Sequence, residues 1–246
     1  MSENIKEALK YAVSLADLEE KVIDIGGVPH YDSSKHTIKE LEPKRYYPEN
    51  LKLNTLDSLI EYYKNDINSI KEHRTIVVVD GPTTVRVFTE DDDRAKRSEL
   101  ISVRAELPSI RFDEFLPSDQ FNVELQSRFM AGQEDDRELV IDYASRLLIE
   151  NGADIEDDGV SQITTIRTGV ANRDKAKAPN PVELTPYRTF LEVKQPSSDF
   201  ILRLNGDAKL ALFEADGGFW KIEAVRLVQE YLTEALDEFD SVFVLA

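Results

Sequence analysis

Thr75-Ile76-Val77-Val78-Val79-Asp80-Gly81-Pro82-Thr83-Thr84-Val85-Arg86-Val87-Phe88-Thr89 contains two β-rich runs around a Gly-Pro turn. The first is a β-branched block, and in the second Val85 and Val87 alternate with polar residues. Such a pattern reads as strand, turn, strand. A third strand is expected over Ser98–Glu106, after the solvated acidic run Glu90-Asp91-Asp92-Asp93-Arg94.

Helical spacing surrounds this hairpin. Before it, Leu56, Leu59, Ile60, Tyr63 and Ile67 mark one helix face, with Asn54 as the expected N-cap and Asp57 near the positive end of the dipole. After it, Phe112 and Phe115, then Phe121, Leu125 and Phe129, predict two helical pieces divided at Pro117-Ser118, with Ser118 capping the second. A further helix is expected from Asp135 or Asp136 through Leu148, ended by Asn151-Gly152.

The second half turns strand-rich: Ser161–Thr168, Tyr187–Lys194, Phe200–Leu204 and Leu210–Glu214, with Gly169–Pro181 read as a polar loop. A last helix over Trp220–Leu236 precedes a short strand at Ser241–Leu245. Strands outside β-α-β alternation predict an α+β fold with a mainly antiparallel sheet and several flanking helices.

At the other end, Ile5, Leu9, Ala12, Leu15, Leu18 and Val22 form a narrow stripe, and Gly26-Gly27 breaks the pattern before a short strand near Thr37–Leu41. Residues 1–28 are therefore expected to be an amphipathic helical arm. Residues 29–246 are expected to be one α+β body, with a subdivision near 152–160 as the alternative.

Composition narrows the function classes. The 246 residues carry 48 acids against 30 bases, a formal charge of −18, which opposes generic nucleic-acid binding. With 41% hydrophobic residues the chain can bury a core. No run approaches the roughly 20 apolar residues of a membrane span. The start, Met1-Ser2-Glu3-Asn4, lacks the features of a signal peptide. Zero cysteines exclude disulfides and fit a cytoplasmic setting.

Three sets of residues resemble chemistry. Asp154, Glu156 and Asp158, with Gly159, imitate the first half of a calcium loop, but Thr165 stands where the final bidentate carboxylate is needed. Metal is therefore not expected there, and the run reads as an acidic turn. Glu192-Val193-Lys194 has the Glu-x-Lys form of metal-dependent nucleases, without a partner carboxylate on a neighbouring strand. Arg188, Glu214 and Asp216 could build a binding site, while Asp216 also suits the cap of the helix that follows Gly217-Gly218. His30, His36 and His73 have no zinc spacing. No phosphate-binding loop, dinucleotide fingerprint or nucleophile elbow is present, and no cofactor is expected.

Three blocks carry a family resemblance: Thr55-Leu-Asp-Ser-Leu59, Thr185-Pro-Tyr-Arg-Thr-Phe190 leading into Glu192-Val-Lys-Gln-Pro196, and Leu212-Phe-Glu-Ala-Asp-Gly-Gly218 followed by Trp220-Lys-Ile-Glu-Ala224. Together they resemble the YfdQ-like family of phage and prophage proteins of unknown function, from about residue 40 onward. The resemblance implies a phage or prophage origin and residence in a bacterial host, with no catalytic residues to carry over. The leading expectation is a non-enzymatic protein that self-assembles into a ring, tube or shell, using its N-terminal helix to bind another copy. An acidic antagonist of host nucleic-acid-binding or defence proteins, and a metal-dependent nuclease using Glu192 and Lys194, are the alternatives. No membrane partner is expected.

Overall fold

Thr75–Gly81 (β5) and Thr84–Thr89 (β6) pair antiparallel at the centre of a five-stranded sheet, as the opening hairpin requires. The computed structural model describes residues 2–16, 22–32, 38–40, 48–92, 95–132, 135–147, 156–157, 162–167 and 173–246. The chain forms two compact units, Met1–Pro48 and Glu49–Ala246, so the division falls later than the boundary after residue 28 drawn from sequence.

The first unit holds α1 (Ser2–Ala16) and a three-stranded antiparallel sheet, β1 (Val22–Ile25), β2 (Val28–Asp32) and β3 (Ile38–Glu40). Gly26-Gly27, read as a break, is a two-residue hairpin loop with φ of +66° and +82°. Both values suit a primed turn that glycine adopts without penalty. Asp24 Oδ1 accepts the Gly27 N–H at 2.7 Å and closes it. The part of the expected helix over 17–21 lies outside the described residues.

In the second unit the five-stranded order is β14 (Val242–Leu245), β5, β6, β7 (Glu99–Arg104), β4 (Leu51–Leu53). Both edge strands run parallel to their neighbours, so this sheet is mixed rather than antiparallel. Val77, Val79, Val85, Val87, Ile101 and Val103 form its buried face. Helix α5 (Trp220–Leu236) packs on β5 and β14 and against α2 (Leu56–Lys64). Thr55, one residue after the expected cap, accepts the Ser58 N–H at 3.2 Å. Ile67 is exposed, because α2 has already ended and Asp66, Asn68 and Ser69 take left-handed φ values of 48°, 58° and 54°.

A second core lies between α3 (Ser118–Arg128), α4 (Arg137–Arg146) and the antiparallel sheet β11 (Val182–Leu184), β12 (Ser198–Leu204), β13 (Leu210–Glu214). Phe112 stacks on Phe200 at 5.3 Å, and Phe129 meets both rings edge-on at 6.4 Å. The helix expected around Phe112 and Phe115 does not form. Asp113 takes φ 62°, and Leu116 instead exchanges two 2.8 Å backbone bonds with Leu210, extending this sheet. Ser118 opens α3 without a side-chain cap. Asp136 sits at the start of α4 and its carboxylate accepts the Glu183 N–H at 2.9 Å.

Strand β9 (Gln162–Arg167) pairs with β8 (Glu156–Asp157) and with β10 (Arg173–Lys177), which occupies the segment read as a polar loop. An Arg-Asp-Lys-Ala-Lys strand carries almost no apolar signal. Residues 187–194, read as a strand, are a loop in which Arg188, Thr189 and Phe190 are consecutively buried, against the alternation a strand needs. No helix among the described residues is long and apolar enough to cross a membrane. Fully buried Phe200 holds the second core, so Phe200→Ala is expected to cost about 3–5 kcal/mol in a urea unfolding experiment.

Candidate functional site

The loop over residues 185–197 is a strap that ties four parts of the second unit together. At its start, Thr185 O accepts the Met130 N–H at 2.8 Å and Tyr187 N–H donates to Arg128 O at 3.0 Å, at the C-terminal end of α3. Thr189 Oγ1 donates to Pro82 O at 2.5 Å, in the β5–β6 turn. Glu192 Oε1 accepts the Leu56 N–H at 2.7 Å, at the positive end of α2.

Inside the strap one amide replaces the missing ladder. Gln195 Oε1 accepts the N–H groups of Arg188 and Thr189 at 3.0 and 3.1 Å, and its Nε2 donates to Phe190 O at 2.9 Å. A strand partner would have satisfied those groups; here a buried side chain does.

Arg188 is the centre of the cluster, with 6% of its surface exposed. One guanidinium nitrogen donates to Glu214 Oε1 at 3.0 Å; the other donates to Ser198 Oγ and to Pro196 O. Ser198 Oγ passes its own hydrogen to Asp216 Oδ2 at 2.7 Å. The guanidinium lies 4.2 Å from the Trp220 ring centre, in cation–π contact, and 5.8 Å from that of Phe200. Burial pulls its pKa down to about 10, opposed by the Glu214 and Asp216 carboxylates, so it stays charged at neutral pH.

Asp216 closes the arrangement. Its Oδ1 accepts Gly218 N–H at 2.9 Å and its Oδ2 accepts Trp220 N–H at 3.2 Å, which caps the start of α5. Gly217 and Gly218, with φ of +63° and +81°, make the turn that presents both donors. Desolvation pushes the Asp216 pKa up, but the bonds from Ser198, Gly218 and Trp220, with the Arg188 charge, bring it net below the usual carboxylate value.

The structure thus brings together Arg188, Glu214 and Asp216, the three residues grouped from sequence. Ser198, Gln195 and Trp220 complete the cluster and were not singled out. The available signal was the lone tryptophan two residues after a glycine pair. Arg188 Nε and Trp220 Nε1 are buried without a hydrogen-bond partner; every other polar group named here holds its neighbours. The arrangement is suited to fixing chain segments: its one hydroxyl beside a carboxylate, Ser198 Oγ, is buried and already engaged by both Arg188 and Asp216.

Glu192 and Lys194 are not brought together. Glu192 lines a cleft of about 260 Å³ with Asn54, Asp57 and Glu106, whereas exposed Lys194 lines another of about 340 Å³ with Glu183 and Ser197. Across the first cleft's wall, Tyr231 donates to Asp57 at 2.6 Å; that bond, with burial, pushes the tyrosine up to about 12. Of the calcium-like run, Asp154 and Asp158 lie outside the described residues and Glu156 belongs to β8. Among the described residues no group of three or more His, Asp or Glu could hold a metal ion.

No family model matches the chain, and neither does any curated protein or any solved structure.

Two outcomes follow from the cluster. Arg188→Ala removes the cation between two carboxylates and should cost about 3–5 kcal/mol, with Trp220 emission as the unfolding probe. Asp216→Asn keeps an acceptor for the α5 N–H groups but removes the carboxylate charge beside Arg188 and the helix N-terminus, and should lose about 1 kcal/mol at neutral pH. Because the folded-state pKa of Asp216 is depressed, its contribution is present above the unfolded carboxylate pKa and disappears as pH falls through the folded value. The gap between wild type and Asp216→Asn should therefore close in acid; a gap constant with pH would contradict this role.

Proposed function

We infer that this is a non-enzymatic protein that works by self-association, assembling into a ring, tube or shell inside a bacterial cell. The observation that carries the reading is the stripe on α1. Ile5, Leu9 and Val13 follow one another at four-residue spacing and are 62%, 59% and 59% exposed. Residues four apart lie on one helix face, so the three form a continuous apolar line. Burying such a side chain is worth about 1.5–3 kcal/mol, a strong incentive to find a partner.

Charge favours a second copy as that partner. The chain as a whole is at −18, yet α1 holds Glu3 and Glu7 against Lys6 and Lys10, two acids and two bases, for a sum of zero. Copies meeting through this helix avoid the repulsion that the rest of the surface would impose. The phage or prophage setting comes from the three resembling blocks. The strap supports the non-enzymatic side of the reading, since its ionisable groups are committed to holding structure.

Light scattering on the purified full chain at micromolar concentration tests the reading. A mass of several times 28.0 kDa is expected, whereas 28.0 kDa at every concentration would overturn it.

A further inference from the structure

Within the second unit, the five-stranded sheet has one face buried under α2 and α5 and another that is apolar and uncovered by the described residues of that unit. Register alone places its residues. Phe243 of β14, Ile76 of β5 and Phe88 of β6 lie side by side in one row. The next row on the same face runs Leu245, Val78, Arg86, Ser102, Lys52 across all five strands. Phe243 and Leu245 are 46% and 53% exposed, and Ile76, Val78 and Phe88 are partly exposed. Five neighbouring apolar side chains with a polar rim mark an interaction surface rather than scattered exposure.

The topology makes the open face more telling. Strands β14 and β5 pair in parallel, and strands of wholly parallel sheets are covered on both faces. Among the described residues of the second unit a layer lies on one side only.

We propose that α1 of a second copy covers this face, laying Ile5, Leu9 and Val13 across Phe243, Ile76, Phe88, Val78 and Leu245. This rests on the self-association reading and names its contact. Dimensions agree: Ile5 to Val13 spans about 12 Å of helix at 1.5 Å per residue. The row from Phe243 to Phe88 crosses two strand spacings, about 10 Å.

Charge again selects another copy over a charged partner. The face carries or is bordered by Lys52, Arg74, Arg86 and Arg104 and by Asp80, Glu90 and Glu99, four bases against three acids. Arg86 pairs with Asp80 at 2.8 Å while its guanidinium lies over Phe88, and Arg74 pairs with Glu90 at 3.1 Å while lying over Phe243. In a strongly acidic chain, α1 is thus neutral and the face is within one charge of neutral. A basic or acidic macromolecule gains nothing here that it would not find elsewhere. A neutral apolar helix gains its burial without electrostatic cost.

Each copy offers one helix and one face, so the contact either closes as a reciprocal two-fold pair or repeats head-to-tail. Repetition of a heterologous contact yields closed rings or open filaments.

The native chain has no cysteine, so single sulfhydryls can be placed cleanly. Leu9→Cys and Phe243→Cys chains, both at exposed positions, are mixed and treated with a short bismaleimide cross-linker. Mixed dimers well above those of either variant alone are expected, and the Leu9→Cys/Phe243→Cys double variant should give a ladder of multimers where the contact repeats head-to-tail and a dimer where it closes as a pair. An intrachain link in the double variant, or Leu9→Cys cross-linking to itself as strongly as to Phe243→Cys, overturns the proposal. Separately, Leu245→Glu should weaken association at least tenfold with an unchanged circular dichroism spectrum; unchanged association also overturns it. Light scattering separates the two claims: an oligomer without mixed cross-links removes this contact alone, whereas a monomer removes self-association as well.

Discussion

A guanidinium placed inside a protein must be given both hydrogen-bond acceptors and counter-charge, and Arg188 obtains them from four different segments. Glu214 comes from the end of β13, Ser198 from the start of β12, Pro196 from the strap itself, and Trp220 from the first turn of α5. Meeting that demand sets where the strap runs. Once it is there, Thr189 reaches the β5–β6 turn and Glu192 reaches the first N–H of α2. The elements around both cores of the second unit are therefore joined through a polar seam. Such seams are costly when half satisfied and rigid when complete, and this one lacks only the partners of Arg188 Nε and Trp220 Nε1.

The same seam explains what becomes of the residues that looked catalytic. Acids beside glycine turns, or before lysine in a Glu-x-Lys triplet, suggest metal chemistry because carboxylates are good ligands. Helix ends are good partners for carboxylates too, and here Glu192 and Asp216 both face backbone N–H groups at the start of helices. Their acidity serves the macrodipole and the orphan donors. In a chain with this excess of acids, capping by distant carboxylates is an available solution wherever a helix starts without a strong local cap.

Legibility followed periodicity. The β5–β6 hairpin, α5 and β14 were readable, because each has a regular apolar repeat bounded by glycine, proline or aspartate. The β1–β2 hairpin was missed: Gly26-Gly27 looks the same as a break or as a primed turn until the flanking strands are paired. Polar β10 has no repeat to detect. The Phe112 segment imitated a helix through two phenylalanines three apart, although its backbone bonds go to Leu210. At the site, charged residues could be grouped by type, whereas Gln195 could not be found, because an amide that stands in for a missing strand leaves no pattern in sequence. The parallel edges of the sheet were equally hidden, since nothing local in β14 says which strand it will join.

That last pairing bears on how the chain reaches its native state. Strand β5 has one neighbour, β6, immediately after it, and the other, β14, only after both cores and α5 have been made. Its free edge stays open until residues 242–245 have been made, and closure waits on a contact of very long sequence separation, the slowest kind to form. Until then β5 presents Ile76, Val77, Val78 and Val79 along an unpaired edge, the kind of surface that draws in foreign strands. The late strand therefore does more than widen the sheet: it ends the period in which a growing chain is most prone to aggregate.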